Sequence, residues 1–213
     1  AMNKELSKIL FIKNKIKTPS YFIIKKGYEK NLQLNLKSKK IKFPTVIKPI
    51  NEGSSLGVYI CNNQKELTKN YRKLIKEYDQ VLVEEYIPGK EIQVAVMGKK
   101  ALGAIELVPK RKFYDYKAKY SSSAKTKHIM PALLSKKNYK KALFIAKKAH
   151  KILGCKGITR SDFRFFNNKF YLLEINTQPG MTKLSLFPEI ANHYGIDFED
   201  LVVWMVKDAS NSR

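Results

Sequence analysis

Cysteine, arginine and long apolar runs are scarce in this 213-residue chain, and each scarcity excludes a class of protein. The two cysteines, Cys61 and Cys155, lie far apart and have neither CxxC spacing nor histidine partners. They therefore predict no disulfide framework and no zinc site, and we expect a reduced, cytoplasmic protein with inert thiols. No apolar run reaches the roughly 18 residues that a membrane-spanning helix needs, so no membrane partner is expected.

The formal net charge of +24 raises the hypothesis of a nucleic-acid-binding module. Only five of the 42 basic residues are arginine, whereas nucleic-acid surfaces usually use arginine for bidentate and stacking contacts. The composition therefore favours lysine-rich solvated faces that weakly attract anionic small molecules. No nucleic-acid partner is expected.

The hydrophobic pattern mixes helices and strands without a strict alternation of the two. Two hairpins are clear, over 92–108 and over 158–176. The pattern also predicts strands over 21–24, 43–49 and 81–86, and helices over 3–17, 63–78, 135–153, up to about Gly195 and from Asp197 onward. Residues 27–42 fit either a helix or a loop. This mixture predicts an α+β fold built from subdomains rather than a doubly wound sheet.

A long irregular stretch over 109–131 separates the two hairpins. It is rich in serine and lysine and has few large aliphatic residues to anchor it. Stretches of this length without secondary structure are usually lids or binding loops. We therefore predict a mobile loop over 109–131.

The second hairpin carries the strongest indication of chemistry. Its turn places Asp162 roughly opposite Glu174, with Arg160 and Asn176 on the same faces of the two strands. Facing carboxylates repel each other unless something neutralises them, and a cluster of oxygen ligands suits Mg²⁺. The alternative is a surface charge network around Arg160.

The alternation of apolar residues in this hairpin bears on that alternative. A strict period of two puts Leu172 on the face of Glu174, and it directs Leu173 and Ile175 into a core. Apolar residues of this kind mark a sheet with a buried side, which favours the metal site over the surface network.

Two further segments suggest phosphate and nucleotide contacts. Lys48 leaves an apolar strand and precedes the small-residue loop 51–57, whose backbone N–H groups and hydroxyls suit phosphate oxygens, although the pattern is not that of a Walker loop. Three glutamates, Glu84, Glu85 and Glu91, flank a strand end at Pro88-Gly89 and could accept hydrogen bonds from an adenine amine and ribose hydroxyls. Taken singly, an ordinary turn and exposed strand-end charges remain open for these two segments.

The order of these features resembles the ATP-grasp superfamily and, within it, the D-alanine–D-alanine ligase family. The resemblance runs from 43 to 192 and is also visible in the opening AMNKELSK. Its motifs are FPTVIKPINEGSSLGV, VLVEEYIPGKEIQVAV, FYDYKAKY, LGCKGITRSDF and YLLEINTQPGMTKLSLFPEIA. The resemblance implies an ATP-grasp fold in which two α+β subdomains, 1–110 and 111–213, clasp the nucleotide.

The resemblance also implies which side chains bind Mg²⁺-ATP. The phosphates would be held by Lys8, Lys48 and Lys119, and adenine and ribose by Glu84 and Glu91, with the backbone of Glu85, Tyr86 and Ile87 lining the adenine slot. Two Mg²⁺ ions, or Mn²⁺ in their place, would be held by Asp162, Glu174 and Asn176.

The implied reaction joins two D-alanine molecules through an acyl phosphate, for peptidoglycan precursor synthesis. Arg160 would stabilise the transferring phosphoryl group, and Gly180 and Ser185 would bind the second D-alanine. Ser54 and Tyr120 match a pair that hydrogen-bonds with a glutamate of a further N-terminal domain of ~100 residues. Two positions depart from common choices in the family, Gln178 in place of serine and Leu184 in place of a polar residue.

The chain is expected to begin after that N-terminal domain, so we expect it to bind Mg²⁺-ATP but to be inactive as a ligase on its own. The family resemblance leaves room for a homodimer of the full-length protein. Another ATP-grasp carboxylate–amine ligase, including a D-alanine–D-lactate type, remains an alternative, although the FYDYKAKY segment favours the dipeptide enzyme. A nucleotide-binding domain without turnover is a further alternative. The nucleic-acid module would be supported by salt-dependent DNA binding without ATP binding.

Overall fold

The computed structural model describes residues 1–109, 126–182 and 185–209. Its helices are α1 (Lys4–Lys13), α2 (Asn31–Ser38), α3 (Gln64–Leu74), α4 (Lys136–Ile152), α5 (Leu186–His193) and α6 (Phe198–Asp208). Its strands are β1 (Tyr21–Lys25), β2 (Thr45–Pro49), β3 (Tyr59–Cys61), β4 (Gln80–Glu85), β5 (Lys90–Met97), β6 (Lys100–Val108), β7 (Lys127–Ile129), β8 (Ile158–Phe166) and β9 (Lys169–Asn176).

The first sheet has four antiparallel strands in the order β1-β4-β2-β3 and is covered by α2 and α3. Helix α3 begins at Asn63, whose side chain accepts a hydrogen bond from the backbone N–H of Glu66 at 2.9 Å. Leu67, Tyr71 and Leu74 follow at helical spacing and are buried against the sheet. The helix therefore packs through one apolar stripe and leaves its lysines in solvent.

The second sheet has five antiparallel strands in the order β7-β6-β5-β8-β9, and helices cover both of its faces. Helix α4 presents three fully buried alanines to one face, Ala142, Ala146 and Ala149. Their small side chains let the helix approach the strands closely. Helices α5 and α6 cover the other face through Phe187, Ile190 and Leu201, among others. This sheet is therefore a central layer between two helical layers.

Helix α1 connects the two sheets. Phe11 lies in the core beneath α4, on the second sheet, whereas Lys8 points to Glu84 on the first. The backbone N–H of Lys4 donates to the carbonyl of Ile50 at 3.1 Å, just after β2. The helix is therefore held from both sides, at the line where the sheets meet.

A β-bulge in the second hairpin corrects one prediction. The register pairs Asp162 with Glu174 but Phe163 with Leu172, so Leu173 is the extra residue on β9. Leu172 is consequently buried in the core, and Leu173 lies on the side of Glu174. The predicted sides of Leu172 and Leu173 are therefore wrong, because a strict period of two does not hold across a bulge. Ile175 is buried, as predicted.

Most predicted elements are present, and the differences lie at their ends. The first helix ends at Lys13, and Lys15 beyond it has a left-handed φ of 58° that a helix cannot continue. Helix α3 ends at Leu74, whereas the pattern predicted that it would continue to residue 78. The segment 27–42, which fitted either a helix or a loop, contains α2. Two short strands were not predicted, β3 and β7, and β7 lies within the stretch expected to be a loop. Three residues are too few for a periodic pattern to be recognised.

The change from one sheet to the other falls between Glu85 and Lys90. A subdomain boundary near 110 would instead cut the second sheet between β6 and β7, and the position of that boundary stays a prediction. No helix in the described ranges has both the length and the apolar character needed to cross a membrane.

Gly89 lies at the crossing between the sheets, with a φ of +94°, and a Cβ there would overlap the backbone carbonyl oxygen of Phe165. Gly195 has nearly the same φ, +93°, but a Cβ there would meet nothing. We predict that Gly195→Ala lowers the free energy of unfolding by about 1–2 kcal/mol through backbone strain alone. Gly89→Ala should cost roughly 1–3 kcal/mol more because of the overlap. Urea unfolding of both variants measures the difference, and equal losses would contradict the close packing at Gly89.

Candidate functional site

A cleft of about 840 Å³, counted out to its open mouth, lies where the two sheets meet. The first sheet and its connections contribute β2, the loop after it and the end of β4. The second sheet contributes the beginning of β5 and the outward side chains of β8 and β9. Eight residues predicted to bind nucleotide or metal line this cleft: Lys48, Glu84, Glu85, Tyr86, Ile87, Glu91, Asp162 and Glu174. The structure therefore brings together segments that are up to 126 positions apart in the sequence.

Three buried charges lie at the floor of the cleft and just behind it. Glu84 is 2% exposed, and its two carboxylate oxygens face different lysines. The ammonium of Lys8 lies 2.8 Å from Oε2, and that of Lys48 donates a hydrogen bond to Oε1. Lys8 also donates to the hydroxyl of Thr18 at 2.6 Å. Lys8 itself is fully buried behind Glu84 and does not line the cleft, whereas Lys48 does.

Neighbouring strands explain how Lys48 and Glu84 meet. Strands β2 and β4 are antiparallel, and Val46 is the direct partner of Glu84. Lys48 lies two positions further along β2, on the same face of the sheet, so its long side chain reaches the carboxylate diagonally. Lys8 belongs to α1, and only the tertiary fold brings that helix next to Glu84.

Burial and mutual attraction act against each other on these groups. Burial raises the pKa of Glu84, but the attraction of Lys48 and Lys8, together with the hydrogen bond from Lys48, outweighs it and lowers that pKa to about 2. Burial and the neighbouring Lys48 lower the pKa of Lys8 to about 8, against the attraction of Glu84. The cluster of Lys8, Lys48 and Glu84 thus sets two lysines against one carboxylate. Lys48 is the member of this pair of lysines that reaches the cleft, so its ammonium is the local attraction for an anion such as a phosphate.

At the end of the cleft near β5, one arginine contacts both the backbone and a glutamate. Arg164 lies opposite Glu91 in the pairing of β8 with β5, and its Nη1 is 3.4 Å from a carboxylate oxygen of Glu91. It also donates to the carbonyls of Ile87 and Gly89, at 2.9 and 2.7 Å. Sequence reasoning missed Arg164, although its position two residues after Asp162 on the same strand could have drawn attention to it.

The second hairpin places the predicted metal ligands side by side. Asp162 is the register partner of Glu174, and Arg160 is the partner of Asn176. The guanidinium of Arg160 forms a fork on Asp162 with distances of 2.8 and 2.9 Å, and the Asn176 amide donates to Asp162 at 3.2 Å. Arg160 and Asn176 adjoin the cleft without being part of its wall.

Two carboxylates and one amide fit a hard cation such as Mg²⁺, which prefers oxygen ligands. Within the described residues no group of three or more His, Cys, Asp or Glu side chains is placed to hold a metal. A metal here would therefore rely on the pair Asp162 and Glu174, with the amide of Asn176 and oxygens from outside the protein. The bidentate Arg160 partly neutralises Asp162 in the structure.

Lys4 is a further charged residue of the cleft that sequence reasoning missed. It is 7% exposed, donates to the backbone carbonyl of Glu52 and lies 3.8 Å from a carboxylate oxygen of Glu174. Burial lowers its pKa, against the attraction of Glu174. Its spacing of four residues from Lys8 puts both on one side of α1, and that spacing was visible in the sequence.

The predicted substrate-binding residues fall in different places. Ser54 lies in the loop after β2, between wall residues, with a left-handed φ of 50°. Gly180 and Ser185 lie close together, because a Cβ at Gly180 would be 2.7 Å from the hydroxyl oxygen of Ser185. That oxygen accepts a hydrogen bond from the backbone of Thr182 at 2.9 Å. The remaining predicted positions, Lys119, Tyr120 and Leu184, lie outside the described residues, as does most of the predicted loop.

The sequence matches a family model described as "D-ala D-ala ligase C-terminus" over residues 10–207. It is 63% identical over 216 residues to a D-alanine–D-alanine ligase of Pelagibacter ubique (strain HTCC1062), covering 100% of this chain and 69% of the relative. It is 47% identical over 214 residues to that of Wolbachia pipientis wMel, covering 98% of this chain and 65% of the relative. The chain thus spans about two thirds of the length of these relatives.

The fold is similar to that of solved ligases. A crystal structure of D-alanine–D-alanine ligase from Bacillus anthracis complexed with ATP matches with a TM-score of 0.83 and 26% identity, over 97% of this chain and 65% of that one. A second structure from that organism gives a TM-score of 0.85 and 30% identity, over 97% and 66%. These matches and the two antiparallel sheets confirm the predicted α+β ATP-grasp fold.

The buried cluster generates a stability prediction. Glu84→Gln leaves two buried ammonium groups without their carboxylate, so we predict a loss of about 3–5 kcal/mol in the free energy of unfolding at pH 7. Glu85→Gln is the matched control, because Glu85 is the next residue on β4 and forms no ion pair among the described residues. Urea unfolding measures both variants. A loss under about 1 kcal/mol for Glu84→Gln would contradict the cluster's role in stability.

The pH dependence of this difference is a separate prediction. The folded-state pKa of Glu84, about 2, lies below its ordinary value of 4.5. The stabilisation is therefore complete above pH 4.5 and is lost as the pH falls toward 2, by about 1.4 kcal/mol per pH unit. Urea unfolding of wild type and Glu84→Gln between pH 5 and pH 3 should show a difference in the free energy of unfolding that narrows as the pH falls below 4.5. A difference that does not change with pH would show that Glu84 stabilises the fold by packing and not by charge.

Proposed function

The chain belongs to the family of the D-alanine–D-alanine ligase C-terminal domain, and from this premise we propose that it is the Mg²⁺-ATP-binding and bond-forming part of a D-alanine–D-alanine ligase. One observation carries the proposal: Lys48, fixed by its ion pair with the buried Glu84, lines the same cleft as the facing carboxylates Asp162 and Glu174. A phosphate group needs a cation beside it, and a metal bound to phosphates needs carboxylate ligands from the protein.

The proposed reaction has two steps. The γ-phosphoryl group of ATP passes to a carboxylate oxygen of one D-alanine, which gives an acyl phosphate and ADP. The amine of a second D-alanine then attacks the acyl carbon, a peptide bond forms, and phosphate and a proton leave. The product, D-alanyl-D-alanine, would serve peptidoglycan synthesis in the cytoplasm.

ATP would lie along the floor of the cleft. Lys48 and the loop 51–57 would contact the phosphates, the segment from Glu85 to Ile87 would line the base, and Glu91 would lie near the ribose; Lys48, Glu85, Tyr86, Ile87 and Glu91 are wall residues of the cleft. Both oxygens of Glu84 already face lysines, so we propose that its main contribution is to hold those lysines in place. A contact between Glu84 and the adenine amine, and one between Lys119 and phosphate, stay predictions.

The residues of the second hairpin would act on the transferring group. Asp162, Glu174 and Asn176 would hold Mg²⁺, and the metal would supply positive charge against the negative charge of the phosphates. Arg160 is fixed by its fork on Asp162 and would stabilise negative charge on the phosphoryl group through its positive charge. Gly180 and Ser185 would orient the second D-alanine from the turn that follows β9.

Ligation also needs a site for the first D-alanine, and we propose that Ser54 and Tyr120 help to form it. Orientation of two reactants contributes roughly 7–11 kcal/mol in well-arranged reactions. A chain in which this orientation is incomplete would bind nucleotide and form essentially no dipeptide.

Calorimetry of ATP binding with and without Mg²⁺ tests the nucleotide site. We predict binding that depends on Mg²⁺ and that weakens about tenfold or more in Glu174→Gln, because a metal ligand is lost and two facing carboxylates no longer need neutralisation. Glu199→Gln, an exposed residue in the first turn of α6, is the control and should bind as wild type does. Equal ATP affinity with and without Mg²⁺ would contradict the metal assignment, and absence of any ATP binding would contradict the proposed function.

A further inference from the structure

Gln93 is a buried polar residue beside the cleft to which none of the roles described above assigns a task. It lies in the middle of β5, and only 1% of it is exposed. Its carbonyl oxygen Oε1 is buried and accepts no hydrogen bond from the part of the chain that the structure describes. Buried polar groups almost always have a partner, because an unpaired one destabilises the fold. This oxygen therefore calls for a specific explanation.

The strand register places Gln93 in one row with both proposed carboxylate ligands. Gln93 is the direct partner of Asp162 in the pairing of β5 with β8, and Asp162 is the direct partner of Glu174 in the pairing of β8 with β9. Side chains at paired positions lie on the same face of a sheet, with their Cβ atoms about 5 Å apart. Three side chains that carry oxygen atoms therefore lie side by side across three strands, with Asp162 in the middle.

The neighbours of Gln93 show that it lies where the cleft ends and the core begins. Two positions before it on β5, Glu91 lines the cleft, and two positions after it, Ala95 is fully buried in the core under α5 and α6. Its partner on β6 is Ile105, which belongs to the same core. Apolar side chains thus border the amide toward β6 and toward the end of β5, whereas Asp162 and the cleft border it on the polar sides.

Two other neutral side chains have a buried oxygen without a partner among the described residues, and both lie elsewhere. Ser161 precedes Asp162, so its side chain points to the opposite face of the sheet, toward the core beneath α4. Thr45 lies on β2 of the first sheet. Of these three oxygens, that of Gln93 alone adjoins a proposed metal ligand on the same face.

We propose that Gln93 is a positioning residue of the cation site: its Oε1 accepts a hydrogen bond from a water molecule of the hydrated divalent cation that Asp162 and Glu174 hold. The inference rests on the proposed function and adds a residue to that site. Mg²⁺ gives up its waters reluctantly, so a site with few protein ligands has to accommodate several of them. The oxygens of Asp162 already accept hydrogen bonds from Arg160 and Asn176. The oxygen of Gln93 is an acceptor that such a water can use without competing with those bonds.

Stability and metal affinity separate this role from a merely structural one. Replacing the amide by the apolar side chain of methionine removes an unpaired buried oxygen, so the melting temperature without metal should stay the same or rise. The same replacement takes an acceptor away from the hydrated cation, so the affinity for metal should fall. A residue that only supports the fold would lose melting temperature and affinity together.

The test uses Gln93→Met, Gln93→Glu and, as a matched control on the neighbouring strand, Ser161→Ala, which also removes a buried unpaired oxygen. Free Mn²⁺ is measured by electron paramagnetic resonance in the absence of nucleotide, melting temperature is measured without metal, and Mg²⁺-ATP binding of wild type is measured by calorimetry. We expect Gln93→Met to bind Mn²⁺ about tenfold more weakly, with a melting temperature no lower than that of wild type. Gln93→Glu keeps an acceptor oxygen and should restore most of the Mn²⁺ affinity, and Ser161→Ala should bind Mn²⁺ as wild type does.

Each other outcome overturns a defined part of the account. If wild type binds Mg²⁺-ATP but binds no Mn²⁺ alone, or if Gln93→Met binds Mn²⁺ as wild type does, the inference about Gln93 fails while the proposed function stands. If Gln93→Met loses Mn²⁺ affinity together with melting temperature, Gln93 is a structural residue and the inference also fails. Failure of Gln93→Glu to restore affinity would show that the acceptor oxygen is not what the cation needs. If wild type binds neither Mg²⁺-ATP nor Mn²⁺, the proposed function fails and the inference fails with it.

Discussion

The burial of two ammonium groups against one carboxylate is the constraint on which the rest of the site depends. Lys8, Lys48 and Glu84 come from a helix and two strands, and none of the three could be withdrawn from water alone. Their ion pairs fix α1 to the first sheet at the line where the second sheet begins. The same pairs hold Lys48 in the wall of the cleft, so the interaction that joins the elements also places a cation where an anion can bind.

The second sheet supplies the facing carboxylates Asp162 and Glu174 to the cleft. A bulge on β9 keeps Asp162 opposite Glu174 while Leu172 enters the core and Leu173 joins the wall of the cleft. Without that extra residue, side chains of β9 would alternate strictly, and Leu172 would lie on the same face as Glu174. Arg164 completes the arrangement by hydrogen bonds to the backbone at Ile87 and Gly89, where the chain passes from one sheet to the other. Charge, packing and chain path therefore converge on one small region.

Features determined by neighbouring residues could be predicted from the sequence. The hairpin around Asn167-Asn168 has the expected strands, because both turn residues take the left-handed φ that such a turn requires. Helix α4 begins at Ser135, whose hydroxyl accepts from the backbone of Asn138, and Gly154 follows its end with a φ of +64°. The family motifs then located the wall residues of the cleft.

Features determined by tertiary contacts could not be predicted in this way. The bulge at Leu173 depends on which side chains the α4 core accepts, and the roles of Lys4 and Arg164 depend on how α1 and β5 meet the second hairpin. Helix ends also escaped prediction where a left-handed residue such as Lys15 stops a pattern that hydrophobicity alone would continue.

The central claim is that one cleft between the two sheets holds the nucleotide, with its base beside the end of β4. Photolabelling with 8-azido-ATP in the presence of Mg²⁺, followed by digestion and peptide mass spectrometry, tests this claim most directly. The account predicts label within residues 84–91 that disappears when excess ATP is added. Label confined to the lysine-rich outer face of α3, or label that excess ATP does not displace, would contradict it.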